Sequence, residues 1–322
     1  MSALVEAEGL AIGDAGGTLA LDGVTLALSA GETLAVIGES GSGKTTFGMA
    51  LGRVLPAGAR RVAGRLTVAG VEVFEADAET LRRLRREALG FVFQNPMSAL
   101  DPTMTVGRQL ARATGRRTPP AELAALLARA RLDEPERVLR AWPHELSGGM
   151  AQRVTIAMAI ARSPRLLIAD EPTASLDASI RDRVMDTLGA LSAEAGAALV
   201  VLSHDLRLAA KRAARTAVMY AGRVAEAGPT AALFARPSHP YTAALMAAAA
   251  GSERPGERLS PIPGAPPTLT ESARGCAFAP RCPLAAEVCR ATRPADRAVE
   301  GRQVACHRAE EMPAAPAAEA AR

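Results

Sequence analysis

The chain has 322 residues, of which 48% are hydrophobic and 22% charged, an ordinary globular composition that excludes wholesale disorder. Its formal net charge of +4 is too small to indicate a nucleic-acid-binding protein. No apolar run approaches the roughly 18 residues that span a bilayer. The start of the chain, "MSALVEAEGL", lacks the charged and apolar regions of a signal peptide, so we expect a cytosolic protein.

Buried strands alternate with helices through the first two thirds of the sequence. Short strands and turns are predicted before residue 45, and they end in a buried strand at 32–38. Further strands are predicted at 90–93, 165–170 and 197–205, and helices at 122–132, 150–162 and 179–196. This order predicts an α/β fold with a parallel sheet, into which a helical subdomain is inserted.

The composition changes after about residue 235. A proline-rich connector at 255–269 precedes a segment that holds all four cysteines of the chain. The last residues, "PAAPAAEAAR", are predicted to extend freely from the fold. The predicted organisation is a first domain at 1–235 with its helical subdomain at about 95–163, a C-terminal extension at 236–310 and a disordered tail at 311–322.

A phosphate-binding loop directly follows the strand at 32–38. It fits the pattern G-x-x-x-x-G-K-[ST], and its candidate nucleotide-binding residues are Gly38, Glu39, Ser40, Gly41, Ser42, Gly43, Lys44, Thr45 and Thr46. Glycines allow backbone N–H groups to face phosphate oxygens, the lysine contacts the β- and γ-phosphates, and the threonine hydroxyl binds Mg²⁺. Only two of the 38 basic residues are lysines, Lys44 and Lys211, and an arginine in the loop would be too large and planar for this role.

Polar residues at the ends of the predicted strands supply the other candidate groups. Asp170 ends "LLIAD" in a position suited to Mg²⁺, and Glu171 beside it can take a proton from water. Gln94 follows "GFVF", where its amide can reach metal and water. His204 in "LSHD" is placed to contact a γ-phosphate.

The sharpest motif is "LSGGMAQR", which begins at Leu146 and precedes a long predicted helix. One anion site is predicted there. It is formed by a serine hydroxyl, the backbone N–H groups of two glycines and the N-terminus of the helix. The motif therefore predicts a second phosphate contact.

Together, "GESGSGKTT", "FQNP", "LSGGMAQR", "LLIADEPT", "SLD" and "LSHD" closely resemble the ATP-binding cassette family. The resemblance implies a phosphate-loop (RecA-like) core with N-terminal antiparallel strands and an active ATPase. It also implies that two subunits pair head to tail around ATP. The implied roles are catalysis by Glu171, His204 and Gln94, Mg²⁺ binding by Thr45, Gln94 and Asp170, contact with ATP in trans by Ser147, Gly148, Gly149 and Gln152, and communication between the sites by Asp177.

One feature departs from the family pattern. The stretch "AIGDAGGTLALDGVTL" lacks the aromatic residue that the family stacks on adenine. Stacking contributes about 1–3 kcal/mol per base, so we expect weaker adenine discrimination with triphosphate binding intact. Leu19 or Leu21 is the candidate for an apolar contact with the base instead.

Longer strings, including "FVFQNPMSALDPTMTVGRQL", "WPHELSGGMAQRV" and "PIPGAPP", resemble the ATPase subunits of oligopeptide and dipeptide importers. The resemblance implies a peripheral subunit on the cytoplasmic face of the inner or plasma membrane that powers uptake of peptides or similar small solutes. The implied partners are two permease subunits, a second ATPase subunit (identical or paralogous) and an extracytoplasmic solute-binding protein, with no nucleic acid. The alternative is a non-transport cassette ATPase acting on nucleic acid or ribosomes.

The four cysteines, Cys276, Cys282, Cys289 and Cys306, do not have the paired C-x2-C spacing of most structural zinc sites. Four thiolates suit either Zn²⁺ or an iron–sulfur cluster, and His307 is a substitute ligand. The segment resembles one that holds a [4Fe–4S] cluster in some peptide-importer ATPases. Four reduced thiols in a small apolar core are the remaining interpretation.

Overall fold

Two units, each drawn from separated stretches of chain, make up the computed structural model, which describes residues 3–174, 178–251, 262–270 and 274–312. The first unit comprises the described residues of 1–5, 28–32 and 67–202. The second comprises those of 6–27, 33–66 and 203–322. Each unit has its own hydrophobic core.

The helices and strands are numbered here in chain order. The strands are β1 (Val5–Gly13), β2 (Thr18–Leu28), β3 (Thr33–Ile37), β4 (Arg60–Val68), β5 (Val71–Glu72), β6 (Leu89–Val92), β7 (Leu166–Asp170), β8 (Ala198–Ser203), β9 (Arg215–Tyr220), β10 (Arg223–Pro229), β11 (Leu269–Thr270), β12 (Arg297–Val299) and β13 (Arg302–Val304). The helices are α1 (Lys44–Leu51), α2 (Ala78–Glu87), α3 (Val106–Thr114), α4 (Pro120–Arg129), α5 (Pro135–Arg140), α6 (Gly148–Ile160), α7 (Ala178–Glu194), α8 (Leu206–Arg212), α9 (Thr230–Ala235), α10 (Pro240–Gly251) and α11 (Glu287–Ala291).

In the first unit, β6, β7 and β8 form a parallel sheet in that order. Val92 pairs with Ala169, and Asp170 pairs with Leu202, so the carboxyl ends of the three strands lie along one edge. The side chains of β8 are all buried, as expected for a strand covered on both faces. The predicted parallel sheet is confirmed.

The segment between β6 and β7 is helical and has a core of its own. Leu110 of α3, Leu127 of α4, Val138 of α5 and Val154 of α6 are fully buried in this core. All residues between β6 and β7 are described, and none of them forms a strand. The predicted inserted helical subdomain is therefore confirmed.

In the second unit, β3 pairs in parallel with β9, and β9, β10, β13 and β12 continue as antiparallel neighbours. Strands β11, β2, β1 and β4 are neighbours, in that order, in another sheet, which contains the predicted N-terminal strands. The turn from β9 to β10 passes through Ala221 and Gly222, both with positive φ (46° and 74°). Positive φ at both central residues is the two-residue hairpin geometry that matches the twist of the strands.

The C-terminal extension packs onto β10 through β13 and through a buried ion pair. Glu226 and Arg302 have side chains 0% and 2% exposed, and Arg302 Nη1 donates to Glu226 Oε1 at 3.0 Å. The Glu226 carboxylate also accepts from the backbone N–H groups of Ser238 and His239. Burial raises the pKa of Glu226, while these donors and Arg302 favour its charged form.

None of the helices among the described residues is long and apolar enough to cross a membrane. The domain boundaries at 235, 310 and 311 stay predictions. Residues 313–322 of the predicted tail lie outside the described residues.

We predict that Arg302→Met lowers the free energy of unfolding by about 3–5 kcal/mol, because it leaves the Glu226 carboxylate buried without a cation. Urea denaturation followed by circular dichroism measures the change. The control is Arg82→Gln, which breaks an ion pair whose side chains are 64% and 79% exposed and is expected to cost at most about 1 kcal/mol. Equal losses in the two variants would contradict the prediction.

Candidate functional site

The phosphate-binding loop lies between β3 and α1 in the second unit, and two of its glycines have no room for a side chain. A Cβ at Gly38 (φ 156°) would lie 2.2 Å from Met219 O. A Cβ at Gly43 (φ 98°) would lie 2.6 Å from Ala20 O. Both contacts are with backbone atoms, which cannot swing aside as a flexible side chain would. Glycine is therefore required at both positions by close packing as well as by backbone conformation.

Lys44, the first residue of α1, is held against the loop. Its side chain is buried (6% exposed for the residue), and Nζ donates to Gly38 O at 2.8 Å and to Glu39 O at 3.0 Å. The ammonium group is thus fixed beside the loop backbone. Thr45, next along the first turn of α1, is exposed, which leaves that helix end accessible to an anion.

Glu39 of the loop is bound by residues from far along the chain in the second unit. Its backbone N–H donates to Tyr241 Oη at 2.9 Å, and its carboxylate accepts two hydrogen bonds from Arg281 at 2.8 and 3.0 Å. Neither partner was predicted from the sequence. The string "FAPRCP" that contains Arg281 was interpreted only for its cysteine.

In the first unit, the candidate metal and water ligands gather at one edge of the sheet. Asp170 ends β7, and Gln94 lies two residues beyond β6, the parallel neighbour of β7. Glu171 has a positive φ of 45°, and its backbone N–H donates to Leu202 O at 2.9 Å. A non-glycine residue in this conformation costs of order 1–3 kcal/mol. The bond to β8 therefore holds the Glu171 backbone in one strained position beside Asp170.

The "LSGG" motif forms the N-terminus of α6. Ser147 caps the helix, and its Oγ accepts from the backbone N–H of Met150 at 3.3 Å. A Cβ at Gly148 would have no heavy atom within 4 Å, and one at Gly149 would meet only Ile180, at 3.9 Å. Among the described residues, nothing in the packing of this chain requires glycine at these positions.

Two other predicted residues, Gln152 and His204, differ in their exposure, and a third is not among the described residues. Gln152 is buried, 2% exposed, and its Nε2 atom has no hydrogen-bond partner among the described residues. His204 is exposed and follows β8 directly. Asp177 lies outside the described residues.

The two leucines considered for adenine have little or no exposed surface. Leu21 is fully buried, so it has no surface to offer a base. Leu19 is 8% exposed and packs into the hydrophobic core of the second unit. The suggestion that Leu21 contacts adenine is therefore wrong for this structure.

The four cysteines are free thiols that line one small cavity together with His307 and Phe278. Burial raises the pKa of Cys306 to about 11 and also raises the pKa of the Cys276 and Cys282 thiols. These three thiols are therefore protonated at neutral pH, and a metal would have to displace their protons. Within the described ranges, no group of three or more histidine, cysteine or acidic residues is arranged to hold a metal ion. The structure does not support the predicted iron–sulfur or zinc site.

Comparison with known proteins agrees with the motifs. The family model for ABC transporters matches residues 21–174, and the model for the oligopeptide/dipeptide transporter C-terminal region matches residues 225–289. The chain is 42% identical over 304 residues to a probable peptide ABC transporter ATP-binding protein, y4tR, of Sinorhizobium fredii, a match covering 92% of this chain and 91% of the relative. It is 38% identical over 297 residues to the oligopeptide transport ATP-binding protein OppD of Escherichia coli, covering 90% and 88%.

The chain belongs to the ABC transporter ATPases of the oligopeptide/dipeptide type. The predicted family and ATPase activity are thereby confirmed. Solved ABC cassettes also share its fold. One is the ATP-binding cassette MJ0796, a dimer bound to ADP and Pi, with a TM-score of 0.61 and 29% identity over 70% of this chain and 98% of that chain. Another is cbiO1 of Clostridium perfringens, part of the cbiONQ complex, with a TM-score of 0.64 and 27% identity over 73% and 92%.

The environment of Lys44 gives a direct test of the phosphate loop in this ABC ATPase. We predict that Lys44→Arg weakens ATP binding by about 10-fold or more, because a planar guanidinium does not fit the place of an ammonium held by Gly38 O and Glu39 O. Titration with a fluorescent ATP analogue measures the affinity. Lys211→Arg is the matched control, since Lys211 is exposed and is the only other lysine of the sequence. Wild-type affinity in Lys44→Arg would contradict the assignment.

Proposed function

We propose that this ABC ATPase hydrolyses ATP to drive uptake of di- and oligopeptides, or similar small solutes, through two permease subunits. The observation that carries the proposal is the likeness to peptide-import ATPases over about nine tenths of the chain, which includes the C-terminal region. The proposed assembly also contains a second ATPase subunit and an extracytoplasmic solute-binding protein. In it the chain lies on the cytoplasmic face of the membrane, attached through the permeases.

The catalytic roles follow from the chemistry of each group. Glu171 polarises the attacking water and accepts its proton. The hydrogen bond from its backbone N–H to Leu202 O fixes the backbone from which this side chain extends. His204 contacts the γ-phosphate. Lys44 contributes positive charge at the β- and γ-phosphates, and the N–H groups of residues 38–46 surround the phosphate oxygens.

The metal of this proposal is Mg²⁺, which would neutralise charge on the β- and γ-phosphates. Thr45, Gln94 and Asp170 would hold it. Their hydroxyl, amide and carboxylate oxygens are the hard ligands that Mg²⁺ prefers. Asp170 ends β7 and Gln94 lies just beyond β6, its parallel neighbour, and Thr45 is exposed on the first turn of α1.

The proposed ATP site is completed by a second subunit. Ser147, Gly148 and Gly149 would contact the ATP held by the phosphate loop of the partner ATPase, with Gln152 supporting the motif from inside α6. The open space around both glycines supports this role, because close approach of a ligand accounts for residues without a side chain where internal packing does not. Asp177 would link the two sites. The solved MJ0796 cassette with ADP and Pi is itself dimeric.

The iron–sulfur cluster stays a hypothesis, with Zn²⁺ as its alternative. The hypothesis starts from four thiols at one cavity, which are not arranged to hold a metal ion among the described residues. Iron content and visible absorbance of protein purified anaerobically decide it. No step of ATP hydrolysis depends on such a group.

Copurification tests the proposed transport function against the alternative of an ATPase working on ribosomes or nucleic acid. We expect the tagged chain, extracted from membranes in mild detergent, to bring down two membrane-spanning subunits and a second cassette ATPase. The tagged chain mixed with detergent-solubilised membranes from cells that make neither it nor the proposed permeases is the control for adventitious capture. Recovery with ribosomes or DNA, and without permeases, would contradict the proposal.

We predict that Glu171→Gln leaves ATP affinity unchanged and lowers the hydrolysis rate by about 100-fold or more, the usual contribution of a positioned general base. Phosphate release and nucleotide binding are measured on the same preparation. Glu194→Gln is the control, because Glu194 lies at the end of α7 in an exposed pair with Arg129. Hydrolysis at the wild-type rate in Glu171→Gln would remove the assigned base.

A further inference from the structure

The phosphate loop is fastened to the C-terminal part of the chain through Glu39. Arg281 Nη1 donates to Glu39 Oε2 at 2.8 Å, and Nη2 donates to Glu39 Oε1 at 3.0 Å, so the pair is bidentate. Tyr241 Oη accepts the Glu39 backbone N–H at 2.9 Å. We call Tyr220, Tyr241 and Arg281 the Glu39 clamp.

The Arg281 side chain is buried and makes several hydrogen bonds. Its side chain is 4% exposed, and besides Glu39 it donates to Tyr220 Oη at 3.2 Å, Ile262 O at 2.9 Å and Pro263 O at 2.7 Å. The hydrogen bonds to Glu39 raise the pKa of the guanidinium further above its usual value. A buried guanidinium with this many partners has one orientation, which it imposes on the Glu39 carboxylate.

The clamp is anchored in the hydrophobic core of the second unit. Tyr220, Tyr241 and Phe278 form an aromatic cluster with ring centroids 4.5 to 5.4 Å apart. Tyr241 is fully buried, and the Arg281 guanidinium lies 5.7 Å from the centroid of the Tyr220 ring. The loop residue Glu39 is thus attached to packed side chains.

Two consequences for the loop follow from these contacts. First, the Glu39 carbonyl accepts from Lys44 Nζ at 3.0 Å, so a residue fixed by the clamp helps to place the ammonium. Second, Glu39 puts a carboxylate into a loop whose ligand is a polyanion. Arg281 cancels that charge, which would otherwise repel the ligand.

We propose that Arg281 is a positioning residue of the nucleotide site, through which the C-terminal extension sets the affinity of the phosphate loop for triphosphates. The guanidinium orients Glu39 and neutralises its charge, and Glu39 in turn places Lys44. The proposal rests on the part of the proposed function in which this loop binds the phosphates of ATP. In this proposal the C-terminal extension contributes to nucleotide binding, whatever it also contributes to assembly with other subunits.

The test is a double-mutant cycle of Arg281→Gln and Glu39→Gln in the full chain. Dissociation constants are measured for ATP and for inorganic tripolyphosphate, with kcat and KM for ATP and the melting temperature. We expect Arg281→Gln to weaken binding of both ligands by about 10-fold or more and to raise KM, with kcat within about 3-fold of the wild type. Adding Glu39→Gln removes the uncompensated carboxylate, so the double variant is expected to regain at least about 3-fold of the lost affinity.

Arg297→Gln is the matched control. Arg297 lies in the same extension but bonds to Glu310 and to Cys306 O, so affinity is expected to stay within about 2-fold of the wild type. Arg281→Lys, which keeps the charge and loses the bidentate fork, is expected to fall between the wild type and Arg281→Gln. It also serves if Arg281→Gln does not fold.

Wild-type affinity for tripolyphosphate in folded Arg281→Gln or Arg281→Lys would overturn the proposal. So would losses that simply add in the double variant, or a lowered melting temperature with unchanged affinity. Failure of the proposed transport function is a separate result, because it is read from copurification with permeases and not from the nucleotide affinity of the Arg281 variants.

Discussion

The structure depends on how closely the backbone approaches itself at the phosphate loop. Gly38 lies against Met219 O and Gly43 against Ala20 O, with no space for one more carbon atom at either place. These two contacts fix the loop against β9 and β2. Strand β2 shortly precedes the loop in the sequence, whereas β9 lies far beyond it. The N–H groups and the ammonium are therefore arranged before any nucleotide arrives, and little reorganisation is needed when charge develops.

The C-terminal extension takes part in the second unit through polar contacts that are unusually well buried. Arg302 is paired with Glu226, and Arg281 with Glu39, and both arginine side chains are almost inaccessible to water. Such pairs add little net stability, but each is costly to break by removal of one partner. In the docked position of the extension seen here, both carboxylates have a cationic partner.

Much of the fold could be predicted because the buried strands are continuous apolar runs, as in "LLIA" and "ALVVL", and the catalytic motifs directly follow them. The hairpin of β9 and β10 was missed, because its turn at Ala221 and Gly222 carries only a weak signal. Arg281 was beyond prediction for another reason. Its partner Glu39 is 242 positions away, and neither residue belongs to a periodic pattern that would relate them. The spacing of the cysteines indicated a metal site, yet it is Arg281, between Cys276 and Cys282, that makes the contact with the loop.

The scarcity of lysine gives the molecule a chemical property of its own. Apart from the chain terminus, an amine-directed reagent has two targets, Lys44, buried in the loop, and Lys211, exposed at the end of α8. The exposed Lys211 reacts fast, so its modification marks every folded molecule. The buried Lys44 reacts slowly, so its modification marks only molecules in which the loop has opened. The ratio of Lys44 to Lys211 modification, measured by mass spectrometry, thus reports how often the loop opens and needs no engineered label.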